Sequence, residues 1–201
     1  MNVSISKKGV YEKFQETLHL GSLFHSNLQD YLQLEARNTT VLNSDLGFLG
    51  KSLEKVFGDI SRVKLLESHV VHEKLKYRGV IDCIAMYRDT PLIIEWKKSD
   101  KPKLTVDKTY DAPLQLAAYI GALNHDSSYR FKVTKGLVVV AYNYGTTANV
   151  YPINERELNV YWKAWIERYK KYADMVYIDG PKENENEALA ASSQLSEMQG
   201  H

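Results

Sequence analysis

The chain has 201 residues, of which 44% are hydrophobic and 25% are charged. This is ordinary globular composition, and the length suits one domain with a substantial core. The formal net charge is only +1, so the overall charge indicates no particular partner. A single cysteine excludes a disulfide within the chain and a cysteine-ligated zinc or iron–sulfur site. No apolar run reaches the ~20 residues of a membrane-spanning helix, so we expect no membrane partner.

Two helices are predicted in the N-terminal part of the chain. Over residues 18–33, apolar side chains recur at about every fourth position, which is the spacing of a helix. These side chains are Leu20, Phe24, Leu28 and Leu32. A second helix is predicted from Asp45 to Phe57, with Gly58 marking its end.

Strands and helices then alternate along the rest of the chain. Strands are predicted over residues 63–72, 75–87, 91–98, 136–142 and 148–153. After a lysine-rich loop, Asp111 is the predicted N-cap of a helix that is apolar nearly all round and should be buried. Asn154 and Glu157 resemble a capping pair that opens a long helix through about residue 173.

This order of elements predicts a mixed α/β (α+β) domain, a central mixed β-sheet flanked by helices. We expect residues 1–179 to form this single domain. Residues 180–201 are polar and poor in aromatic side chains, and we expect a disordered tail.

Three charged residues lie inside apolar strand sequences: Asp82 in VIDCIAM, and Glu95 and Lys97 in LIIEWKK. Side chains alternate along a strand, so Glu95 and Lys97 share one face. Pairing Met86 with Pro91 across the turn would place Asp82 opposite Glu95. Adjacent carboxylates repel each other, and a divalent cation removes that repulsion. The lysine is suited to hold the attacking water and to neutralise charge that builds up on phosphorus.

Each charge alone has a simpler interpretation, since most charges are solvated. Glu95 and Lys97 fit a solvated edge pair, and Asp82 fits a cap at a kink. All three together, embedded in apolar strands, favour a functional site.

The spacing of Asp82 and the Glu95–Lys97 segment matches the metal-dependent PD-(D/E)XK nuclease motif. GSLFH, from Gly21 to His25, resembles the GxxxH motif of the RecB-like branch of that superfamily. QLAAY, from Gln115 to Tyr119, matches the QxxxY motif of the same branch, and its end residues share a helix face. The order of these motifs agrees with a restriction-endonuclease-like core.

A longer resemblance covers residues 20–169. RGVIDCIAMY, EWKKSDKPK, DAPLQLAAYIGALNHD and KGLVVVAY together resemble the mitochondrial genome maintenance exonuclease family. The resemblance implies a Mg²⁺-dependent exonuclease, with Mn²⁺ as a substitute, that hydrolyses single-stranded DNA from free ends or flaps. It implies a role in mitochondrial DNA replication and maintenance. We expect a monomer.

By matching positions, the resemblance implies that Asp82 and Glu95 bind the metal, helped by the Trp96 carbonyl. Lys97 would position the nucleophilic water. His25 would be a further metal ligand, although a lone histidine on an apolar helix is more often a core or boundary residue. Glu67, on the first predicted strand, is an additional candidate acid.

Further residues are implied in DNA binding or in support of the site. Gln115 would bind DNA or brace the lysine, and Tyr119 would support that face, although both also suit a purely structural role. Lys98 and Lys101 belong to a local basic run beside the site, which a solvated loop explains equally well. Tyr110 and Tyr77 are candidates for stacking on unpaired bases.

Two departures from the family pattern leave other functions open. Family members have a longer N-terminal region with an import signal, and no transit peptide is visible in this sequence. Glu95 stands where aspartate is also common. The alternatives are a catalytically impaired nucleic-acid binding module on a nuclease scaffold and a structural protein with a buried polar cluster. RNA is not excluded as a substrate.

Overall fold

The structure, a computed structural model, describes residues 7–36 and 46–178. The predicted tail over 180–201 and the predicted helix start at Asp45 lie outside the described residues. The described residues also include a short 3-10 helix, Val106–Thr109. The helices and strands are α1 (Lys7–Ala36), α2 (Gly47–Asp59), β1 (Ile60–His72), β2 (Tyr77–Tyr87), β3 (Thr90–Ser99), α3 (Ala112–His125), β4 (Gly136–Tyr142), β5 (Asn149–Ile153) and α4 (Glu155–Ile178).

The five strands form one mixed sheet in the order β1-β2-β3-β4-β5. Neighbouring strands are antiparallel except β3 and β4, which are parallel because α3 connects them as a crossover. The predicted mixed α/β fold with a central sheet flanked by helices is therefore confirmed.

Each face of the sheet is covered by one pair of helices, and a hydrophobic core lies between each pair and the sheet. On one face, Phe24 and Leu28 of α1 and Leu53 of α2 pack with Trp96 and Val139 of the sheet. On the other, the core joins α3 and the first turn of α4 to the sheet. Its buried members include Ile93, Leu116, Leu123, Val138 and Leu158. Helix α3 is buried along most of its length, as its apolar sequence predicts.

The β2–β3 hairpin has the predicted register. Met86 lies opposite Pro91, and the pairing continues to Cys83 opposite Ile94. The next residue along each strand is Asp82 and Glu95, so the hairpin brings these two acids to neighbouring positions.

Two predictions about the helices need correction. Helix α1 begins at Lys7, well before the predicted start, and Leu20 is 43% exposed whereas Phe24 and Leu28 are buried. Only the second half of α1 packs against the sheet, which explains why Leu20 is not a core residue. Asp111 occupies the N-cap position of α3, as predicted, but its side chain makes no capping hydrogen bond, because the carboxylate pairs with Arg168 of α4 at 2.7 Å.

The start of α4 agrees with the sequence. The Asn154 N–H donates to Glu157 Oε2 at 2.9 Å, and the Glu157 N–H donates to Asn154 Oδ1 at 3.0 Å, which is a reciprocal capping box. Among the described helices, none is long and apolar enough to cross a membrane.

Candidate active site

Asp82 and Glu95 are both withdrawn from water. Asp82 is 9% exposed and Glu95 only 1% exposed. The carboxylate of Asp82 is fixed to the neighbouring strand, because its Oδ2 accepts the Trp96 backbone N–H at 2.8 Å. Buried carboxylates need a partner, and these two lie where β2 and β3 would otherwise be apolar.

A chain of hydrogen bonds connects the buried acid of β3 to helix α3. Lys97 Nζ donates to Glu95 Oε1 at 2.6 Å and to Gln115 Oε1 at 2.9 Å. Gln115 Nε2 in turn donates to the Tyr119 hydroxyl at 2.7 Å. The QxxxY residues therefore lie on one face of α3, as their spacing predicts, and they hold the Lys97 ammonium in place.

The ring of Tyr119 rests on the backbone of β2. A Cβ atom at Gly79 would lie 2.4 Å from Tyr119 Cε1, closer than any real contact. Glycine is therefore needed at position 79 so that the ring can approach the strand. Gly79, Tyr119 and Gln115 together form a packed support behind Lys97.

A second set of side chains meets Asp82 from the other direction. His25 Nδ1 of α1 lies 3.6 Å from Asp82 Oδ1 and 3.7 Å from Glu67 Oε1 of β1. One ligand atom from each of these three residues lies within 4.8 Å of the others. The predicted ligands His25 and Asp82 are therefore brought together with Glu67, the additional candidate acid.

The backbone at Glu67 is unusual. Its φ is 41°, in the left-handed region that non-glycine residues rarely adopt. Leu66 and Ser68 pair with Cys83 and Ile81 of β2, so Glu67 lies between two regular pairs and beside Asp82. Strained backbone inside a strand is common at functional sites, where it directs a side chain.

Burial raises the pKa of both carboxyl groups in the hairpin. Burial and then the charge of Asp82 raise the pKa of Glu95 to about 7, although Lys97 opposes the shift. Burial also raises the pKa of Asp82, against the charge of His25 and the Trp96 N–H. The pair thus resists carrying two negative charges unless a cation is present.

The imidazole of His25 responds to the same carboxylates. Burial acts to lower its pKa, but nearby Glu67 and the charges of Asp82 and Glu95 outweigh burial and raise it. Protonated His25 is therefore favoured as the local cation of the three-residue cluster, and a metal would replace that proton.

The residues fit a divalent cation. Carboxylate oxygens with one imidazole are donors that Mg²⁺ and Mn²⁺ accept. Among the described residues, Glu95 Oε2 is a buried oxygen without a hydrogen-bond partner, which a cation would satisfy. His25, Glu67 and Asp82 would hold the ion, and Glu95 has one oxygen left for it.

The other predicted residues differ in their placement. Lys98 alternates with Lys97 and belongs to the opposite face of β3, and Lys101 is exposed in the loop that follows. The Trp96 side chain is buried, and its carbonyl as a ligand stays a prediction. Tyr77 is half-buried and its hydroxyl donates to the Ala118 carbonyl at 2.8 Å, so it is a structural residue. Cys83 is buried as core.

A five-stranded mixed sheet flanked by helices, with Asp82 and Glu95 in its β2–β3 hairpin, is consistent with a nuclease-like α/β core. Similarity to known proteins is more informative than the fold. The chain is 38% identical to mitochondrial genome maintenance exonuclease 1 from Mus musculus over 175 residues, 87% of the chain and 52% of that protein. It is 36% identical to the Homo sapiens protein, with 87% and 51% covered, and 39% identical to the Xenopus tropicalis protein, with 86% and 50% covered.

These identities confirm the resemblance to the mitochondrial genome maintenance exonuclease family that the motifs predict. The chain spans about half the length of these relatives. No protein-family model matches it. The match to the crystal structure of SSO0001 covers 80% of this chain and 64% of the SSO0001 chain. Its sequence identity of 16% and TM-score of 0.41 are too low to support a conclusion.

Proposed function

We propose that the chain is a metal-dependent exonuclease domain that hydrolyses phosphodiester bonds of single-stranded DNA from free ends. The observation that carries the proposal is the Glu95–Lys97–Gln115 contact beside the His25, Glu67 and Asp82 cluster. An ammonium group and a set of metal-ligating atoms can together stabilise the negative charge that develops on a phosphate during hydrolysis. The names of the relatives support DNA ends as the substrate and mitochondrial genome maintenance as the role.

In this proposal the residues of the site have two separate roles, metal binding and orientation of the attacking water. Asp82, Glu67 and His25 hold the divalent cation, Mg²⁺ or Mn²⁺, and Glu95 contributes its free oxygen. The bound cation would supply charge neutralisation for the phosphate and a more acidic water. Lys97, fixed by Glu95 and Gln115, orients the attacking water and stabilises negative charge on the phosphate oxygens.

The test uses end-labelled single-stranded DNA, duplex DNA and RNA of one sequence, each with Mg²⁺, Mn²⁺ or chelator. We expect shortening of single-stranded DNA that requires metal and is lost in Lys97→Ala. Lys55→Ala is the matched control, because Lys55 is an exposed lysine on α2. Cleavage by Lys97→Ala at the wild-type rate would contradict the proposed roles.

Metal binding has a readout that does not depend on cleavage. We expect Mn²⁺ to raise the melting temperature of the wild-type protein, because a ligand that binds only the folded state stabilises it. Asp82→Asn and Glu67→Gln should each reduce this shift. A melting temperature that is independent of metal, with no DNA binding, would favour the structural protein with a buried polar cluster. DNA binding without metal-dependent cleavage would favour the nucleic-acid binding module.

We also propose that residues 1–179 act as one nuclease domain, as a monomer, and in mitochondria. Helices α1 and α4, far apart in sequence, pack on opposite faces of the same sheet. Size-exclusion chromatography with light scattering tests the monomer, and a mass of two chains would contradict it.

A further inference from the structure

Tyr110 is an aromatic side chain in contact with water. It is 81% exposed and lies in the loop between β3, which carries Lys97, and α3, which carries Gln115. Its backbone has φ 57° and ψ −125°, a conformation that residues other than glycine rarely adopt. The loop thus holds an exposed ring, in a strained backbone conformation, between the two elements that carry Lys97 and Gln115.

The loop around this ring is anchored to the sheet. The Lys103 N–H donates to the Tyr142 hydroxyl at 2.9 Å, and the Lys103 carbonyl accepts the Tyr151 hydroxyl. The Lys103 ammonium lies 4.3 Å from the centre of the Tyr110 ring, within cation–π range. The lysine therefore covers part of the ring and adds positive charge beside it.

We propose that Tyr110 is a stacking platform for one unpaired base of the strand being cut, and that Lys103 faces the adjacent phosphate. This inference rests on the proposed function and specifies how its substrate is selected. Unpaired bases have open faces that stack on aromatic rings, whereas duplex bases are stacked and paired. Lys101 and Lys108, both exposed in the same loop, add the positive charge that a phosphate backbone needs. Tyr110 is thus a determinant of single-strand preference and not a catalytic residue.

The test measures DNA binding without cleavage. Wild type, Tyr110→Ala and Tyr110→Phe are titrated with single-stranded and duplex oligonucleotides in chelator, and 2-aminopurine at successive positions reports stacking. Loss of one stacked base, ~1–3 kcal/mol, corresponds to about 5- to 150-fold weaker single-strand binding by Tyr110→Ala. Tyr110→Phe keeps the ring and should bind within about twofold of wild type.

Two controls separate stacking from other effects. Tyr172→Ala removes a 61% exposed tyrosine on α4 and should leave binding unchanged. The 2-aminopurine scan identifies the base whose fluorescence is quenched by stacking. An oligonucleotide with an abasic site at that position should bind the wild-type protein as weakly as the intact strand binds Tyr110→Ala. Combining the abasic strand with Tyr110→Ala should cause no further loss of affinity. The salt dependence of binding should not change, because no phosphate contact is removed.

Several results would overturn the proposal. One is a Tyr110→Ala variant that binds single-stranded DNA as tightly as wild type, while Lys97→Ala abolishes cleavage. In that case the stacking proposal fails and the proposed function stands. Another is an equal loss on intact and abasic strands, which indicates a structural role. If the wild-type protein neither binds nor shortens single-stranded DNA, both proposals fail.

Discussion

Gly79 of β2 and Tyr119 of α3 are in such close contact that no side chain fits between them. A Cβ atom at residue 79 would lie 2.4 Å from Cε1 and 2.7 Å from Cδ1 of the ring. The Tyr119 hydroxyl accepts from Gln115, which accepts from Lys97. Gly79 therefore determines the position of Lys97, through the ring of Tyr119 and the amide of Gln115.

Gly79→Ala should therefore reduce cleavage although it adds only a methyl group. The ring must move, and a displaced Gln115 no longer holds Lys97; a misplacement of this kind costs up to about 10²-fold in rate. Overpacking should also lower the free energy of unfolding by about 1–3 kcal/mol. Rates of DNA shortening and urea denaturation measure the two effects.

Gly58→Ala is the matched control, because nothing lies within 4 Å of a Cβ there. Rate loss should be much smaller for Gly58→Ala than for Gly79→Ala. On a Tyr119→Ala background, Gly79→Ala should cost little more, since the clash is gone. Additive losses in that double variant would contradict the proposed route through Tyr119.

Lys97→Ala should destabilise the fold in a pH-dependent way. Without Lys97, the carboxylate of Glu95 is buried and lacks its ammonium partner, and its pKa should rise above the value of about 7. At pH 8 wild-type Glu95 is ionised, so we expect a loss of about 1–3 kcal/mol in unfolding free energy. At pH 6 a protonated Glu95 tolerates burial, and the loss should be smaller.

The double variant Lys97→Ala/Glu95→Gln distinguishes this cause from a general packing defect. Its neutral amide removes the buried charge, so the pH dependence of the loss should disappear. Chemical denaturation in chelator at pH 6 and pH 8 provides the comparison. An equal loss at both values in Lys97→Ala would show that Glu95 titration is not involved.

Much of the fold and part of the site follow from local sequence. Alternation in LIIEWKK predicts a shared face for Glu95 and Lys97. The pairing of Met86 with Pro91, on which the predicted proximity of Asp82 and Glu95 depends, is confirmed by the register. Spacing of four on a helix predicts that Gln115 and Tyr119 share a face, as their hydrogen bond confirms. These predictions succeed because strand and helix periods are local properties.

The remaining features depend on contacts that are distant in sequence. Glu67 lies 3.7 Å from His25 and has a left-handed backbone conformation inside β1, which its neighbours in the sequence do not predict. Asp111 has the residue type of an N-cap, yet Arg168, 57 positions away, takes its carboxylate. Tertiary partners override local preference in both cases.

His72 should make stability depend on pH independently of the candidate metal centre. Burial, then the charges of His125 and Lys74, lower the pKa of His72 from 6.5 to about 4. The unfolded chain binds the proton near pH 6.5 and the folded chain only near pH 4. The free energy of unfolding is therefore highest above pH 6.5. It falls by about 3 kcal/mol as the pH is lowered towards 4.

His72→Gln tests this contribution, because glutamine does not titrate and its amide oxygen is a potential acceptor for the Leu75 N–H that bonds His72 Nδ1 at 3.3 Å. The difference in unfolding free energy between wild type and His72→Gln should change across pH 4–6.5. His125→Gln removes the stacked ring whose centre lies 4.0 Å away, and with it a charge that lowers the pKa of His72. The pH range over which stability changes should therefore become narrower. A difference that is constant with pH would contradict the assignment.

Ser52 of α2 should matter more for stability than its size suggests. It is fully buried, its hydroxyl donates to the Thr146 carbonyl at 2.6 Å, and it accepts the Tyr142 N–H at 2.9 Å. Ser52→Ala leaves a buried donor and acceptor unpaired, so we expect about 1–3 kcal/mol lower unfolding free energy. Ser22→Ala removes an exposed hydroxyl bond to Leu18 and should change stability by less than about 0.5 kcal/mol. Equal effects in urea denaturation would mean that Ser52 does not anchor the β4–β5 turn.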